Sequence, residues 1–143
     1  MKKIILTILF ALFTLCISAE TPYYKYYNIN PGYCWLIVTE PKVEIGIPSS
    51  DEEYHLRINL GKLSESLDNT HYLLAELDED NFKEGKTIYY EIDGTQYKFI
   101  EVYDRYRQRA FLFTTPKYNY ELSEPDLVSV SKSILKSQKK LSK

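Results

Sequence analysis

Alternation of hydrophobic and polar positions is clearest in residues 87–101, where it predicts a β-hairpin. Asp93-Gly94 supplies two residues that tolerate the positive φ angles of a type I′ turn. Because side chains alternate along strands, six of them are expected on the core face: Ile88, Tyr90, Ile92, Thr95, Tyr97 and Phe99. The opposite face, predicted to meet water, carries Tyr89, Glu91, Gln96 and Lys98.

The same alternation predicts further strands at residues 42–47, 53–60 and 70–77. Apolar runs predict strands at 33–39 and 110–114, and the latter is expected to be the last strand. The segment 33–39 is apolar on both parities, which is typical of a central strand buried on both sides. Residues 20–31 contain four tyrosines without a clear period and are expected to form an arm or an irregular first strand. Leu63 and Leu67 are four residues apart and predict one or two helical turns.

The C-terminal segment changes to a helical period. Ser123 and Asp126 have the spacing of a capping box, and Pro125 is tolerated in a first helical turn. Apolar residues then recur at helical spacing: Leu127, Val130, Ile134 and Leu141. This pattern predicts an amphipathic helix of about 12 residues that docks on the outside of the β-core.

Together these elements predict a mainly β fold in one domain. The expected architecture is a single small antiparallel β-barrel or rolled sheet of about six to eight strands, with a C-terminal amphipathic helix. The alternative is an α+β fold, an open antiparallel sheet with the helix on one face. The sequence shows neither an internal repeat nor an interdomain linker.

The N-terminus has the order of a secretory signal peptide, with two lysines, an apolar run and a small residue before position 20. The apolar run covers 14 residues, 4–17, whereas a membrane-spanning helix usually needs about 20. We expect a signal peptide at 1–19, a β-rich domain at 20–125, and a helix with a basic tail at 126–143. The protein would then be exported, either to the periplasm or out of the cell.

Charge is unevenly distributed along the chain. Residues 20–125 carry 11 basic and 19 acidic side chains, a net of −8, while residues 126–143 carry five lysines and one aspartate, a net of +4. An acidic body argues against a nucleic-acid partner, because phosphate binding needs clustered Lys and Arg. The basic tail predicts either a peripheral contact with an anionic membrane surface or a solvated helix face.

Sequence motifs for catalysis and metal binding are missing. The chain has no Gly-x-Ser-x-Gly and no glycine-rich phosphate loop, and His55 and His71 lie on separate predicted strands. No catalytic residue, metal site or cofactor is therefore predicted. Cys34 is the only cysteine after the expected signal peptide, so a disulfide scaffold is excluded and a small buried side chain is expected.

Tyrosine and arginine are the candidate binding residues. The chain has 14 tyrosines, a residue type that favours strands and binding surfaces. In an extended strand, alternate positions in residues 103–109 would form an arginine ladder able to hold carboxylate, phosphate or sulfate. A turn at Asp104-Arg105 would break that ladder, and ion pairing with the acidic body is the alternative role. The candidate ligand-binding residues are Tyr89, Tyr103, Arg105, Tyr106, Arg107 and Arg109.

We therefore expect an exported, non-catalytic binding module that recognises a protein, a glycan or a small ligand through Tyr and Arg side chains. One alternative is a small exported hydrolase that uses paired carboxylates. Another is an envelope-associated structural protein whose basic C-terminal helix contacts anionic lipid. The sequence leaves the ligand and the oligomeric state open.

Overall fold

The computed structural model describes residues 22–48 and 55–142, which form eight strands and two helices. The first four strands are β1 (Tyr24–Asn30), β2 (Cys34–Thr39), β3 (Val43–Pro48) and β4 (His55–Asn59), followed by helix α1 (Leu63–Glu76). The next four are β5 (Thr87–Ile92), β6 (Thr95–Tyr103), β7 (Arg109–Thr114) and β8 (Asn119–Ser123), followed by helix α2 (Glu124–Leu141). Four strands and a helix thus occur twice in succession. The predicted signal peptide lies outside the described residues.

The strands form two antiparallel sheets, β1-β2-β3-β4 (the first sheet) and β5-β6-β7-β8 (the second sheet). The mainly β, antiparallel prediction and the strand number are confirmed. A closed barrel is not confirmed: within the described residues both four-stranded sheets are open. The alternative prediction, an open antiparallel sheet with a helix, fits the structure.

The predicted hairpin is confirmed in register and in turn geometry. Ile88 pairs with Phe99, Tyr90 with Tyr97 and Ile92 with Thr95. Asp93 and Gly94 have φ angles of 48° and 80°, as a type I′ turn requires. The core face is buried at Ile88, Tyr90, Tyr97 and Phe99, half-buried at Ile92 and exposed at Thr95.

Two tyrosine hydroxyls from the second sheet join it to the edge of the first. The Tyr97 hydroxyl accepts a hydrogen bond from the Asn59 backbone N–H at 3.1 Å, and the Tyr90 hydroxyl donates to the Asn59 carbonyl at 2.8 Å. The Asn59 side chain also donates to Asp93 at 3.2 Å. Since β4 is an edge strand, these bonds satisfy backbone groups that no neighbouring strand pairs.

The C-terminal helix α2 begins where the capping spacing predicts, with Ser123 as N-cap and its hydroxyl accepting from the Asp126 N–H. It has 18 residues, longer than predicted, because its last turns are held by packing. Ser137 in those turns is fully buried, accepts a hydrogen bond from the Tyr23 hydroxyl at 3.1 Å and lies 2.8 Å from the Tyr27 hydroxyl. This one serine therefore ties α2 to the start of the chain's first sheet.

The predicted strand at 70–77 is wrong, because residues 63–76 form one helix, α1. Its buried positions are Leu63, Ser66, Thr70 and Leu73, followed by buried Leu77, a spacing of three and four residues. Two of these positions are small and polar: Ser66 donates to the Leu63 carbonyl and Thr70 to the Ser66 carbonyl. Because both residues are polar, the buried face of the helix does not appear as a hydrophobic pattern in the sequence. The alternation of apolar residues from 71 to 77 does not reflect a strand.

Two further predictions need correction. Strand β2 is central, as predicted, but it is not buried on both sides: Cys34, Leu36 and Val38 face the core, while Trp35 and Ile37 are half-buried on the outer face. Residues 110–114 are not the last strand, since β8 follows. Strand β8 has only two inward side chains, so its pattern was too short to identify from sequence.

Candidate functional site

A tight turn connects β6 to β7 and carries the arginines of the candidate site. The Asp104 carboxylate accepts hydrogen bonds from the backbone N–H groups of Tyr106 at 2.8 Å and Gln108 at 2.9 Å. Arg107 adopts a positive φ of 62° within this turn. The turn breaks the arginine ladder that an extended strand would have formed, so Arg105 and Arg107 do not share a strand face.

Arg105 is held between two tyrosines. Its guanidinium donates a hydrogen bond to the Tyr33 hydroxyl at 2.9 Å and lies over the Tyr106 ring at 5.0 Å from the centroid. No ion pair in the described part of the chain involves Arg105. Tyr33 and Tyr106 are 51% and 64% exposed. Arg105 and the two exposed tyrosine rings therefore lie at the surface, where they can form further hydrogen bonds with a ligand.

These side chains line a groove of about 640 Å³ between the β1–β2 turn, the β6–β7 turn and the start of α2. Its lining is mostly polar: Asn30, Tyr33, Asp104, Arg105, Tyr106, Gln108, Asn119, Glu121, Ser123, Pro125 and Asp126. We call this the Tyr–Arg groove. Three carboxylates and one guanidinium give its lining a net charge of −2, which disfavours an anionic ligand.

Beneath the groove, Asp126 lies close to the buried Cys34. The Asn30 side-chain amide donates to both Asp126 oxygens, at 3.1 and 3.4 Å, and fixes that carboxylate. Cys34 is 2% exposed, and its burial, together with the negative charge of Asp126, raises the pKa of the thiol to about 12. Burial and the raised pKa both disfavour the thiolate that a nucleophilic cysteine needs.

Three of the candidate residues lie on the other side of the turn. The Tyr103 ring packs edge-on against Phe82, with centroids 4.8 Å apart. Arg109 pairs with Glu124 at 3.3 Å between Nε and Oε2. Together with Arg107, Tyr103 and Arg109 line a smaller groove of about 310 Å³.

Tyr89 stands apart from the other candidates. It pairs with Lys98 across the hairpin, five residues along β6 from Tyr103, a separation of about 17 Å along the strand. The structure therefore brings Arg105 and Tyr106 together in one groove and leaves Tyr89 outside it.

The partners that complete the groove were missed from sequence. Tyr33 follows the Asn30-Pro31-Gly32 turn, and Asn119 and Glu121 lie on the strand that was not predicted. The contact between Tyr33 and Arg105 spans 72 residues of sequence. No local pattern reports such a contact, because it depends on how the two sheets pack.

A second cluster of charges is internal. The Glu101 side chain is fully buried on β6; one of its oxygens accepts from the Lys83 backbone N–H at 3.1 Å, and the other lies 3.9 Å from the Lys86 ammonium. Lys86 also pairs with Glu76 at 3.0 Å. Burial raises the pKa of the Glu101 carboxyl above its ordinary value of 4.5, and the Lys83 hydrogen bond and the Lys86 charge oppose that rise. The cluster anchors the loop before β5.

Within residues 22–48 and 55–142, no three His, Cys, Asp or Glu side chains come close enough together to hold a metal ion. Neither α1 nor α2, the helices of the described residues, is long and apolar enough to cross a membrane. No family model, no curated protein and no solved structure matches the chain.

Proposed function

We propose that this protein is a non-catalytic binding module and that the Tyr–Arg groove holds a carbohydrate. The observation that supports the proposal best is Arg105, an exposed cation that is positioned by Tyr33 and Tyr106 at the mouth of the groove. Tyr and Arg are the residue types enriched where proteins bind partners. The N-terminal sequence pattern supports export, so we propose the periplasm or the cell exterior as the place of action.

The chemistry of the groove favours a neutral, polyhydroxylated ligand. Gln108 and Asn119 each offer an amide donor and an acceptor, and Glu121 adds carboxylate acceptors. A sugar presents neighbouring hydroxyls that donate and accept, together with an apolar ring face that stacks on an exposed Tyr106. A phosphorylated or sulfated ligand would meet the net negative charge of the lining.

A hydrolase acting through paired carboxylates is the weaker proposal. Of the three carboxylates that line the groove, Asp104 holds the β6–β7 turn and Asp126 is bound by Asn30. Both are occupied by hydrogen bonds that maintain the fold, which leaves Glu121 as the remaining acidic group. General acid–base catalysis by two carboxylates needs two such groups free to exchange protons with a substrate.

A peripheral membrane role is a second candidate function, favoured by the outer side of α2. Val128 and Leu135 are exposed there and lie at helical spacing with Lys132 and Lys139. Such a stripe would place lysines and two apolar side chains against an anionic surface. Sedimentation with vesicles of phosphatidylglycerol tests it: the protein should pellet, and Lys132→Glu with Lys139→Glu should remain in the supernatant. Equal pelleting of both proteins would rule the role out.

Calorimetric titration with cellohexaose, chitohexaose and maltohexaose tests the carbohydrate proposal. We expect at least one of these neutral hexasaccharides to bind. Arg105→Ala and Tyr106→Ala should each weaken that binding by about tenfold or more, since both groups face the groove.

Arg107→Ala and Tyr89→Ala are matched controls, because they remove an arginine of the same turn and an equally exposed tyrosine outside the groove. Both controls should bind within about twofold of the unmodified protein. Binding that falls equally in all four variants, or is absent for every hexasaccharide, would contradict the proposal.

A further inference from the structure

The turn between β6 and β7 separates two grooves of opposite charge. On one side lies the Tyr–Arg groove, whose lining has a net charge of −2. On the other side lies the smaller groove of about 310 Å³, which we call the Arg107 groove. Its lining consists of Tyr103, Arg107, Gln108, Arg109, Glu124 and Pro125. Two arginines and one glutamate give this lining a net charge of +1.

The two grooves adjoin, because Gln108 and Pro125 line both of them. The turn between them is fixed by Asp104. Its carboxylate accepts from the Gln108 backbone N–H at 2.9 Å, and its carbonyl accepts from the Arg107 N–H at 2.9 Å. A ligand that extends from the Tyr–Arg groove over Gln108 therefore enters the Arg107 groove.

Arg107 carries the unbalanced charge of its groove. The Glu124 carboxylate lies 3.3 Å from the Nε atom of Arg109 and balances that guanidinium. Arg107 is exposed, and it takes part in no ion pair among residues 22–48 and 55–142. An unpaired guanidinium attracts an anionic group, and its planar set of N–H donors matches two oxygens of a carboxylate or a sulfate.

The backbone conformation of Arg107 gives a further reason to assign a role to its side chain. Its φ angle is 62°, in the left-handed region that glycine adopts freely and that a long side chain disfavours. The turn alone would therefore favour glycine or asparagine at this position. A long side chain held in a costly conformation is grounds for inferring a function for that side chain.

We propose that the Arg107 groove binds the anionic group of an acidic sugar unit, next to a neutral unit held in the Tyr–Arg groove. The inference rests on the carbohydrate proposal and adds the class of glycan, one in which acidic and neutral sugars alternate. A glycan that is acidic in every unit would also place an anion in the negatively charged groove, and a neutral one would leave Arg107 without a partner. The volume of about 310 Å³ lies within the range of small-ligand sites, roughly 300–1,000 Å³.

Calorimetric titration at low ionic strength tests the inference with ligands of equal length. A hyaluronan hexasaccharide alternates a uronic acid with a neutral sugar, a κ-carrageenan hexasaccharide alternates a sulfated sugar with a neutral one, and chitohexaose is neutral throughout. At least one alternating ligand should bind about fivefold or more tightly than chitohexaose, and the tighter of the two identifies the anion as carboxylate or sulfate. Hexagalacturonic acid, which is acidic in every unit, should bind more weakly than that ligand. Sodium chloride at about 1 M should remove the advantage, because it screens exposed charges.

Arg107→Gly is the decisive variant, because glycine suits the positive φ of the turn and the fold is therefore retained. It should lower the affinity for the alternating ligand to that for chitohexaose and leave the binding of chitohexaose unchanged. Arg57→Ala is the matched control, since it removes an exposed arginine of the first sheet. This control should keep the preference for the alternating ligand.

The outcomes separate this inference from the carbohydrate proposal on which it rests. If a neutral hexasaccharide binds and the alternating ligands bind no more tightly, or if Arg107→Gly keeps their advantage, the inference is wrong and the carbohydrate proposal stands. If an alternating ligand binds while no neutral one does, and Arg107→Gly abolishes that binding but Arg105→Ala does not, the Arg107 groove stands and the proposal for the Tyr–Arg groove is wrong. Equally tight binding of hexaglutamate would show attraction by charge alone and would overturn the inference.

Discussion

Trp35 on β2 pairs with Gly46 on β3, and the effect of Gly46→Ala on this contact and on stability can be worked out from the structure. The new methyl group would lie 2.1 Å from the indole Cε2 atom, where ordinary contact begins at 3.4 Å. The ring must therefore retreat by about 1.3 Å. Gly46 does not have a positive φ, so backbone strain adds nothing to this effect.

The expected cost is that of overpacking, about 1–3 kcal/mol in the free energy of unfolding. Part of this comes from lost contact between the indole and β3, and part from the disturbed edge contact with His55 at 5.4 Å. In the absence of the clash, an alanine should be slightly better than glycine inside a strand, by about 0.5–1 kcal/mol. A loss of stability in Gly46→Ala therefore indicates the clash with the indole, and a gain indicates the ordinary preference for alanine over glycine in a strand.

Urea unfolding followed by far-ultraviolet circular dichroism measures the effect, and a double-mutant cycle assigns it. Gly46→Ala should lower the urea midpoint in the unmodified protein, with an unchanged slope. In a Trp35→Ala background the same change should be neutral or stabilising, because the clashing ring is gone. An equal loss of stability in both backgrounds would refute the placement of the indole over Gly46.

Three further predictions concern the interior. Glu101→Gln should become more stable relative to the unmodified protein as pH rises from about 4.5 towards 7 in urea titrations. A carboxyl with a raised pKa stabilises the fold when it is protonated and loses that contribution on ionisation. A stability difference that does not change with pH would contradict this. Cys34 should react with a thiol reagent at pH 8 at least about a hundredfold faster in urea than in the folded protein, and equal rates would show an accessible thiol. Ser137→Ala should lower the free energy of unfolding in urea by about 1–2 kcal/mol, because Tyr23 and Tyr27 both lose a hydrogen-bond partner. No measurable change would show that these hydrogen bonds do not hold α2 in place.

Local patterns in the sequence predict those elements whose boundaries are set by local chemistry. The turn and the register of the β5–β6 hairpin are predicted correctly, because Asp93-Gly94 fixes the turn and the register follows from it. The start of α2 follows from the Ser123 cap. Helix α1 was misread because Ser66 and Thr70 occupy core positions, where their hydroxyls bond to helix carbonyls instead of contributing hydrophobicity.

The arrangement of the sheets and the candidate site depend on contacts that are distant in sequence. Tyr90 and Tyr97 were assigned to the core from their alternation, yet the bonds of their hydroxyls to Asn59, which join the sheets, could not be foreseen. Arg105 and Tyr106 were identified from the basic and aromatic run of residues 103–109. Their place in a groove with Tyr33 follows from the turn that Asp104 closes and from the packing of two sheets, and neither leaves a periodic pattern.

The most direct test of the account is a heteronuclear NMR titration of the isotope-labelled protein with whichever hexasaccharide binds in calorimetry. The account predicts saturable shifts of the backbone amides at 33 and 104–108, in the two turns that border the Tyr–Arg groove, with no comparable shift around Tyr89 in the middle of β5. Shifts confined to residues outside the groove, or no shifts at millimolar sugar, would contradict it.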